Sequence, residues 1–301
     1  MSLISKYAEI LHENTTIKKN EDSILEIITK TDLKTRIQIS QYYKATYNDS
    51  LFDEITSKIG GDFGYCAAQL FLSPLEFCIH HLKKGLDKSN ECTMEQLTSK
   101  TNDELILIED TFNKMTGKDL KKEILKTYKG PVGNNLVNLW EIKRVINPNP
   151  DRKECEKYAN ILAKNNPNNW VEDENIFKDI FIQRSPEELI LIARYYLKIT
   201  GNNLLDDIES KTKGNTKLLS KEILYNNIMP QELFAEKIYL SIKGFGTDEE
   251  TLSRVLVSRS ELDMSEIRDI YQKKYNNSLK EDINGDTSGT YQKLCIFLSD
   301  K

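Results

Sequence analysis

Residues 242–289 carry the pattern that decides the fold, and they read IKGFGTDEETLSRVLVSRSELDMSEIRDIYQKKYNNSLKEDINGDTSG. Apolar residues recur in this stretch at intervals of three and four, as in Leu252, Val255 and Leu256. That spacing is typical of amphipathic α-helices, and no strand-like alternation with hairpin turns competes with it. The stretch therefore predicts short helices joined by loops.

The end of one predicted helix is followed by a motif that occurs three times in the chain. A basic residue precedes Ser or Thr, and an acid stands three residues after that hydroxyl residue, in the segments that begin at Lys100, Arg184 and Arg259. This arrangement predicts a capping box that opens a helix, and Pro186 occupies the favoured first helical position of the second copy.

A glycine stands thirty residues after each of these basic residues, at Gly130, Gly214 and Gly289, and Gly61 stands thirty residues after Thr31 in a fourth copy. The four copies of this pattern start at residues 31, 100, 184 and 259. Their starts are 69, 84 and 75 residues apart, which is longer than the period of ordinary solenoid repeats. We expect each unit to be a small multi-helix domain, with a turn-rich linker at 147–150 and the four units arranged in two pairs.

Composition excludes several classes of protein. The 301 residues are 39% hydrophobic and 30% charged, and 42 Lys and Arg against 47 Asp and Glu give a net charge of −5, so nucleic acid is not an expected partner. Five cysteines without a CxxC pair favour a reducing compartment over a disulfide framework. Neither a secretory signal nor an apolar run long enough to span a membrane is recognisable.

The loop at residues 243–248 is the first candidate for chemistry. Gly244 and Gly246 permit backbone angles that turn carbonyls outward, and Thr247 with Glu250 predicts a capping box for the next helix. Taken alone, the GxG pattern is more often an ordinary helix–helix turn. A second loop carries Asp286, forty residues after Gly246, and carbonyls together with a carboxylate form the oxygen set that calcium prefers.

Residues 233–298 resemble the fourth repeat of an annexin along their whole length, and GxGT followed by GDTSG is highly specific in this order and spacing. The other three units fit the same frame more faintly. The resemblance implies an all-α fold of four annexin-type five-helix repeats in a curved disc, whose convex face carries calcium loops and binds acidic phospholipid. The implied repeats are 1–73, 74–146, 147–229 and 230–301, and only the last keeps an intact calcium motif.

The resemblance also implies the metal ligands. A primary Ca²⁺ would be held by the carbonyls of Ile242, Gly244 and Gly246 and by both carboxylate oxygens of Asp286, and a weaker neighbouring ion by the Thr247 carbonyl and the Glu249 carboxylate. Five oxygens for the primary ion leave positions for water or a lipid phosphate, because calcium takes six to eight ligands.

The first three units depart from this pattern. At the positions of the second loop glycine and of the carboxylate they carry Lys18 and Lys58, Asp87 and Thr127, and Val171 and Lys211, respectively. We therefore expect no calcium in these three units, although Gly85 survives in the second. Lys58 and Lys211 are expected to turn inward and donate hydrogen bonds to loop carbonyls that the ion would otherwise collect.

Two aromatic residues in the loops are candidates for membrane contact. Phe245 has glycines on both sides and is expected to point outward. Trp170, in the loop of the third unit, is either an interfacial anchor or a ring packed on its own repeat.

Motifs of nucleotide-binding proteins, serine hydrolases and zinc proteases are absent from the sequence, so we expect no enzyme. Two classes of function remain. The first is a calcium-dependent, peripheral membrane-binding protein on the cytoplasmic face, with acidic phospholipid as partner. The alternative is a calcium-independent scaffold, built on a degenerate annexin disc, that binds cytoskeletal or other proteins.

Overall fold

The computed structural model describes residues 2–88, 91–144 and 146–301, apart from the side chain of Glu174. Within these ranges the chain forms helices joined by loops and no β-strand. The first helices are α1 Leu3–Thr16, α2 Glu21–Thr29, α3 Leu33–Tyr47, α4 Leu51–Lys58 and α5 Gly61–Gln69. They are followed by α6 Pro74–Lys88, α7 Glu91–Thr98, α8 Asn102–Thr116, α9 Leu120–Thr127 and α10 Pro131–Glu141.

The second half of the chain continues the same order of helices. It contains α11 Arg152–Lys164, α12 Pro167–Trp170, α13 Glu174–Ile176, a π-helical segment Phe177–Ile182, α14 Pro186–Thr200, α15 Leu204–Lys211 and α16 Gly214–Ile228. The last helices are α17 Pro230–Ile242, α18 Glu249–Arg259, α19 Met264–Tyr275, α20 Leu279–Asp286 and α21 Gly289–Ser299. The prediction of an all-α fold is confirmed.

Two of the three expected capping boxes are present. Thr101 with Glu104 opens α8, and Ser185 with Glu188 opens α14. The third prediction is wrong, because Ser260 has helical backbone angles and lies at the end of α18. At this third copy the basic and acidic residues contact each other instead: the Arg259 guanidinium forms an ion pair with Asp263, with Nε 2.8 Å from Oδ1.

The repeated glycines share one backbone conformation. Gly61, Gly130, Gly214 and Gly289 have φ of +59°, +70°, +55° and +64°, and each lies at the start of the last long helix of its group. Left-handed φ is accessible to glycine without the steric cost that a Cβ imposes. The thirty-residue spacing in the sequence therefore marks a turn that each group of helices requires.

One compact unit combines Met1–Phe77 with Gln231–Lys301, so the first and fourth groups of helices pack together. They share a hydrophobic core to which α2 contributes Ile24 and Ile28 and α21 contributes Leu294. The Lys293 ammonium lies 2.9 Å from the Asp22 carboxylate, so an ion pair joins α21 to the first turn of α2.

The second compact unit is Cys78–Pro230 and combines the second and third groups. Its most extensive helix pair is α11 with α14, and α7 packs on α16. The Asn226 amide donates a hydrogen bond of 2.8 Å to the Thr98 hydroxyl between these two helices.

All five cysteines are buried, and none of them forms a disulfide bond. Burial raises the pKa of Cys78 to about 12 and that of Cys155 to about 11, so both thiols are protonated at neutral pH. In the part of the chain that the structure describes, no helix combines the length and apolarity needed to cross a bilayer.

Candidate calcium and membrane site

The loop between α17 and α18 is held at both ends by short-range contacts. The helix α17 ends at Ile242, and the Asp248 N–H donates a hydrogen bond of 2.7 Å to the Ser241 carbonyl, which closes the loop. Between them Gly244 and Gly246 have φ of +110° and +90°, and a Cβ added to either would meet open space. Residues other than glycine are therefore disfavoured at positions 244 and 246 by the backbone conformation, and not by crowding from neighbouring atoms.

The expected capping box of Thr247 and Glu250 is wrong. Asp248 is the N-cap of α18, and its carboxylate accepts a hydrogen bond of 3.0 Å from the Thr251 N–H. Because Asp248 takes the cap, the Thr247 hydroxyl is free for another contact. It donates a hydrogen bond of 2.9 Å to the backbone carbonyl of Asp286.

That contact brings together the two loops that the sequence placed forty residues apart. Asp286 is the last residue of α20 and is exposed. The Gln292 amide donates hydrogen bonds of 2.9 Å to the Asn284 carbonyl and 2.6 Å to the Thr287 carbonyl, so the segment around Asp286 is bound from both sides. The position of Asp286 beside the glycine loop is thus determined by hydrogen bonds to backbone on either side of it.

Several other oxygens of these two loops have no protein partner in the described part of the chain. Within residues 2–88, 91–144 and 146–301, the carbonyls of Ile242, Gly244, Gly246 and Thr247 accept no hydrogen bond, and the carboxylates of Asp286 and Glu249 have no donor or cation. Uncommitted carbonyl and carboxylate oxygens fit a hard cation such as Ca²⁺. Clusters of three or more His, Cys, Asp or Glu side chains, which suit other metals, do not occur in the described residues.

A buried tyrosine supports the start of α18. The Tyr291 hydroxyl lies 3.0 Å from the Ser253 hydroxyl and donates a hydrogen bond of 3.2 Å to the Glu249 carbonyl. Burial raises the pKa of Tyr291 far above its ordinary value, so the phenol remains a donor at any physiological pH. The sequence pattern did not reveal this role, since Tyr291 reads only as a core residue of α21.

Phe245 is fully exposed at the apex of the glycine loop. Among exposed large apolar residues it stands out because it lies next to the uncommitted oxygens described above. The expectation that the flanking glycines leave this ring without packing partners agrees with its exposure.

Trp170 lies in a different environment, and its expected membrane contact is wrong in this structure. Asn166 and Pro167 start the short helix α12, which directs the indole into the interior of its unit, where it is 0% exposed. The ring centroid lies 5.9 Å from that of Phe181 and 5.9 Å from that of Tyr196. The packed alternative is the one observed.

The loop of the third group has neither a carbonyl that is available as a calcium ligand nor the carboxylate. Val171, at the position of Gly246, is buried, and its carbonyl accepts a hydrogen bond of 2.9 Å from the Asn135 amide. The carbonyl is therefore already satisfied inside the protein.

In the second group the retained glycine has a structural function. Gly85 lies within α6, and a Cβ at this position would come within 2.5 Å of the Thr93 hydroxyl of α7. Thr127, at the position of Asp286, donates a hydrogen bond of 3.3 Å to the Leu86 carbonyl. Gly85 therefore permits close helix packing and does not form an open loop.

The expectation that Lys58 and Lys211 turn inward is also wrong. Lys58 is exposed and has no hydrogen-bond or ionic partner among the described residues. Lys211 donates a hydrogen bond of 2.7 Å to Asp207, one turn earlier on α15. Lys18 forms an ion pair of 2.8 Å with Glu13. Two of these lysines thus pair with a nearby carboxylate, and Lys58 lies in solvent.

Comparison with known proteins agrees with this geometry. The Annexin family model matches residues 6–68, 78–139, 159–220 and 233–298. The chain is 31% identical to human annexin A13 over 282 residues, which are 93% of this chain and 89% of that protein. Among solved structures, chicken annexin V in complex with Zn²⁺ superposes with a TM-score of 0.89 at 30% identity, covering 98% of this chain and 95% of the other.

Calcium-bound annexin (Sm)1 is a further structural neighbour, with a TM-score of 0.78 and 25% identity over 99% of this chain and 90% of that chain. The family model matches four segments of the chain, and a relative is more than 30% identical to it. Together these matches define the protein family. The protein belongs to the annexin family. Annexins are in general calcium-dependent phospholipid-binding proteins and not enzymes.

Proposed function

We propose that this protein binds acidic phospholipid membranes in a calcium-dependent manner through the loops of its fourth repeat. The observation that carries the proposal is the hydrogen bond between the Thr247 hydroxyl and the Asp286 carbonyl, which joins a carboxylate to a loop of unsatisfied carbonyls. The same loop carries the exposed Phe245.

The proposed ligands of the primary ion are the carbonyls of Ile242, Gly244 and Gly246 and the carboxylate of Asp286. They supply up to five oxygens, and the remaining one to three positions suit water or a lipid phosphate oxygen. The ion supplies the positive charge that a protein of net charge −5 needs in order to approach an acidic surface. With a single carboxylate, the affinity in the absence of lipid is expected near 10⁻⁴–10⁻³ M, roughly the range of weak extracellular calcium modules.

The Thr247 carbonyl and the Glu249 carboxylate form the proposed second, weaker site. Support comes from the Tyr291 hydroxyl, which holds the first turn of α18 through the Glu249 carbonyl and leaves the carboxylate uncommitted. One carboxylate and one carbonyl leave most positions to water, so this site fills after the first.

The proposed repeat boundaries are 1–73, 74–146, 147–229 and 230–301, and each of the four segments matched by the family model lies inside one of them. We place the protein in the cytoplasm, peripherally on the cytoplasmic face of membranes, because five buried cysteines without a disulfide bond suit a reducing compartment. Contact with cytoskeletal or other protein partners belongs to the scaffold alternative.

Co-sedimentation with vesicles of phosphatidylserine and phosphatidylcholine, in calcium and in chelator, tests the proposal. Asp286→Ala removes the one carboxylate of the primary site and is expected to raise the calcium concentration for half-maximal binding by about tenfold or more. Asp269→Ala on α19 removes another exposed carboxylate of the same unit and is the matched control. Unchanged calcium dependence of Asp286→Ala would refute the assigned site, and equal sedimentation in chelator would favour the scaffold.

A further inference from the structure

A cleft of about 570 Å³ opens in the second unit, and none of its lining residues belongs to the glycine loop or to the segment around Asp286. One wall is the segment Pro148, Asn149 and Pro150, and the other is a face of α14. The volume lies within the range of about 300–1,000 Å³ that is usual for small-molecule sites. Two prolines make the first wall stiff, so the cleft does not depend on a flexible loop to form.

Three cations line this cleft. Arg152 stands at the start of α11, and Arg194 and Lys198 lie one turn apart on α14. None of the three has a hydrogen-bond or ionic partner within the described parts of the chain.

The pair of like charges on α14 is unfavourable for the free protein. Cations four residues apart on a helix repel each other. In a chain of net charge −5, a concave patch with three unpaired cations attracts anions, and a guanidinium matches the geometry of a phosphate in a bidentate contact.

The remainder of the cleft sets the shape of the ligand. Ile190, Leu191 and Tyr195 are half-buried and offer an apolar surface with one phenolic hydroxyl. Glu187 lies seven residues before Arg194, about 10 Å along the helix axis. Its carboxylate disfavours a second anionic group at that end and accepts hydrogen bonds from hydroxyl or amino groups.

We propose that this cleft binds an organic phosphate whose phosphate contacts Arg152, Arg194 and Lys198 and whose apolar body lies on Ile190, Leu191 and Tyr195. The site is independent of the calcium site, since its own side chains supply the positive charge. Both a soluble phosphate ester and a phospholipid headgroup have this chemistry.

Isothermal titration calorimetry with phenyl phosphate, in chelator, tests the site directly. We expect saturable binding of one molecule per chain, and weaker binding of inorganic phosphate and of phenol, each of which lacks one half of the ligand. Lys198→Gln and Arg194→Gln are each expected to weaken phenyl phosphate about tenfold, as for loss of a charge-assisted hydrogen bond. Lys157→Gln makes the same change on an exposed lysine of α11 outside the cleft and is expected to bind as the wild type does.

Competition distinguishes the two sources of phosphate. If phosphatidylcholine vesicles that contain phosphatidic acid displace phenyl phosphate in chelator, the site takes a lipid headgroup. If these vesicles leave phenyl phosphate bound, the site takes a soluble ester. Absence of saturable binding, or equal binding by wild type, Arg194→Gln and Lys198→Gln, would overturn the proposal. None of these results depends on calcium, so they do not test the function proposed for the fourth repeat.

Discussion

The Thr247 hydroxyl donates a hydrogen bond of 2.9 Å to the backbone carbonyl of Asp286, thirty-nine residues later in the chain. This contact connects the glycine loop to the end of α20. It uses the carbonyl of Asp286 and leaves the carboxylate without a protein partner, which is the arrangement that a cation ligand requires.

Thr247→Val is expected to weaken calcium-dependent vesicle binding by about two- to tenfold, the equivalent of one hydrogen bond of about 0.5–1.5 kcal/mol. All proposed ligand oxygens remain in this variant, so the loss of vesicle binding measures how much the Thr247 hydroxyl contributes by positioning the two loops. The readout is the calcium concentration for half-maximal co-sedimentation. Thr56→Val removes a hydroxyl that bonds only the Phe52 carbonyl of its own helix, and it should leave that concentration unchanged. A loss equal to that of Asp286→Ala would show that Thr247 does more than position the loop.

Phe245→Ser is expected to reduce affinity for acidic vesicles in saturating calcium while the thermal midpoint of unfolding stays the same. The ring is fully exposed, so its removal costs the folded protein no packing. Complete burial of a Phe side chain in lipid would contribute about 1.5–3 kcal/mol. Leu262→Ser, at a residue 73% exposed beyond the other end of α18, is the control for loss of exposed apolar surface. Equal effects of the two variants would exclude specific insertion of Phe245.

Lys211→Ala is expected to make the protein more sensitive to acid. Burial by itself raises the pKa of Asp207, but hydrogen bonds from Lys211 and Tyr196 outweigh it, so the net pKa is below the ordinary value. A lowered pKa contributes stability that is present above the unfolded-state pKa and is lost as pH falls through the folded-state pKa. Removal of Lys211 raises the folded-state pKa of Asp207, so this stability is already lost at a higher pH.

The measurement is the helical circular dichroism signal during acid titration. Lys58 occupies the position in the first group that corresponds to Lys211 in the third, and it has no partner among the described residues. The Lys58→Ala variant should therefore follow the wild-type curve. If both lysine variants shift the curve equally, general charge and not the contact with Asp207 is responsible.

Glu261→Ala is expected to lower the free energy of unfolding by about 1–3 kcal/mol. Glu261 accepts hydrogen bonds of 2.8 Å from the Arg36 guanidinium and 2.9 Å from the Leu33 N–H, and Arg36 is only 2% exposed. Its removal leaves a buried cation with backbone carbonyls alone. Urea unfolding measures the effect. Glu26→Ala removes an exposed acid paired with Lys30, and no measurable change in the free energy of unfolding is expected. Similar values for the two would indicate that the Arg36 contact is as weak as a surface pair.

Local features of the molecule were predictable from the sequence because they depend on residues close together in the chain. The capping boxes at Thr101 and Ser185 and the left-handed turn at Gly289 need only a few neighbours and a backbone preference. The glycine loop was predictable for the same reason, since only glycine adopts the φ of Gly244 and Gly246 without strain. The capping prediction for Thr247 failed because Asp248, one residue later, competes for the same helix end.

The sequence by itself determined the helical class, the four-fold repetition and the position of the intact loop, because periodicity and glycine conformation are local properties. Only the tertiary structure decided that the first group of helices packs with the fourth, as the contact of Arg36 with Glu261 shows. It also decided that the Trp170 ring is buried and that the Val171 carbonyl accepts a hydrogen bond from the Asn135 amide. Burial and hydrogen-bond partners depend on which distant segments meet, and helical spacing carries no information about that choice.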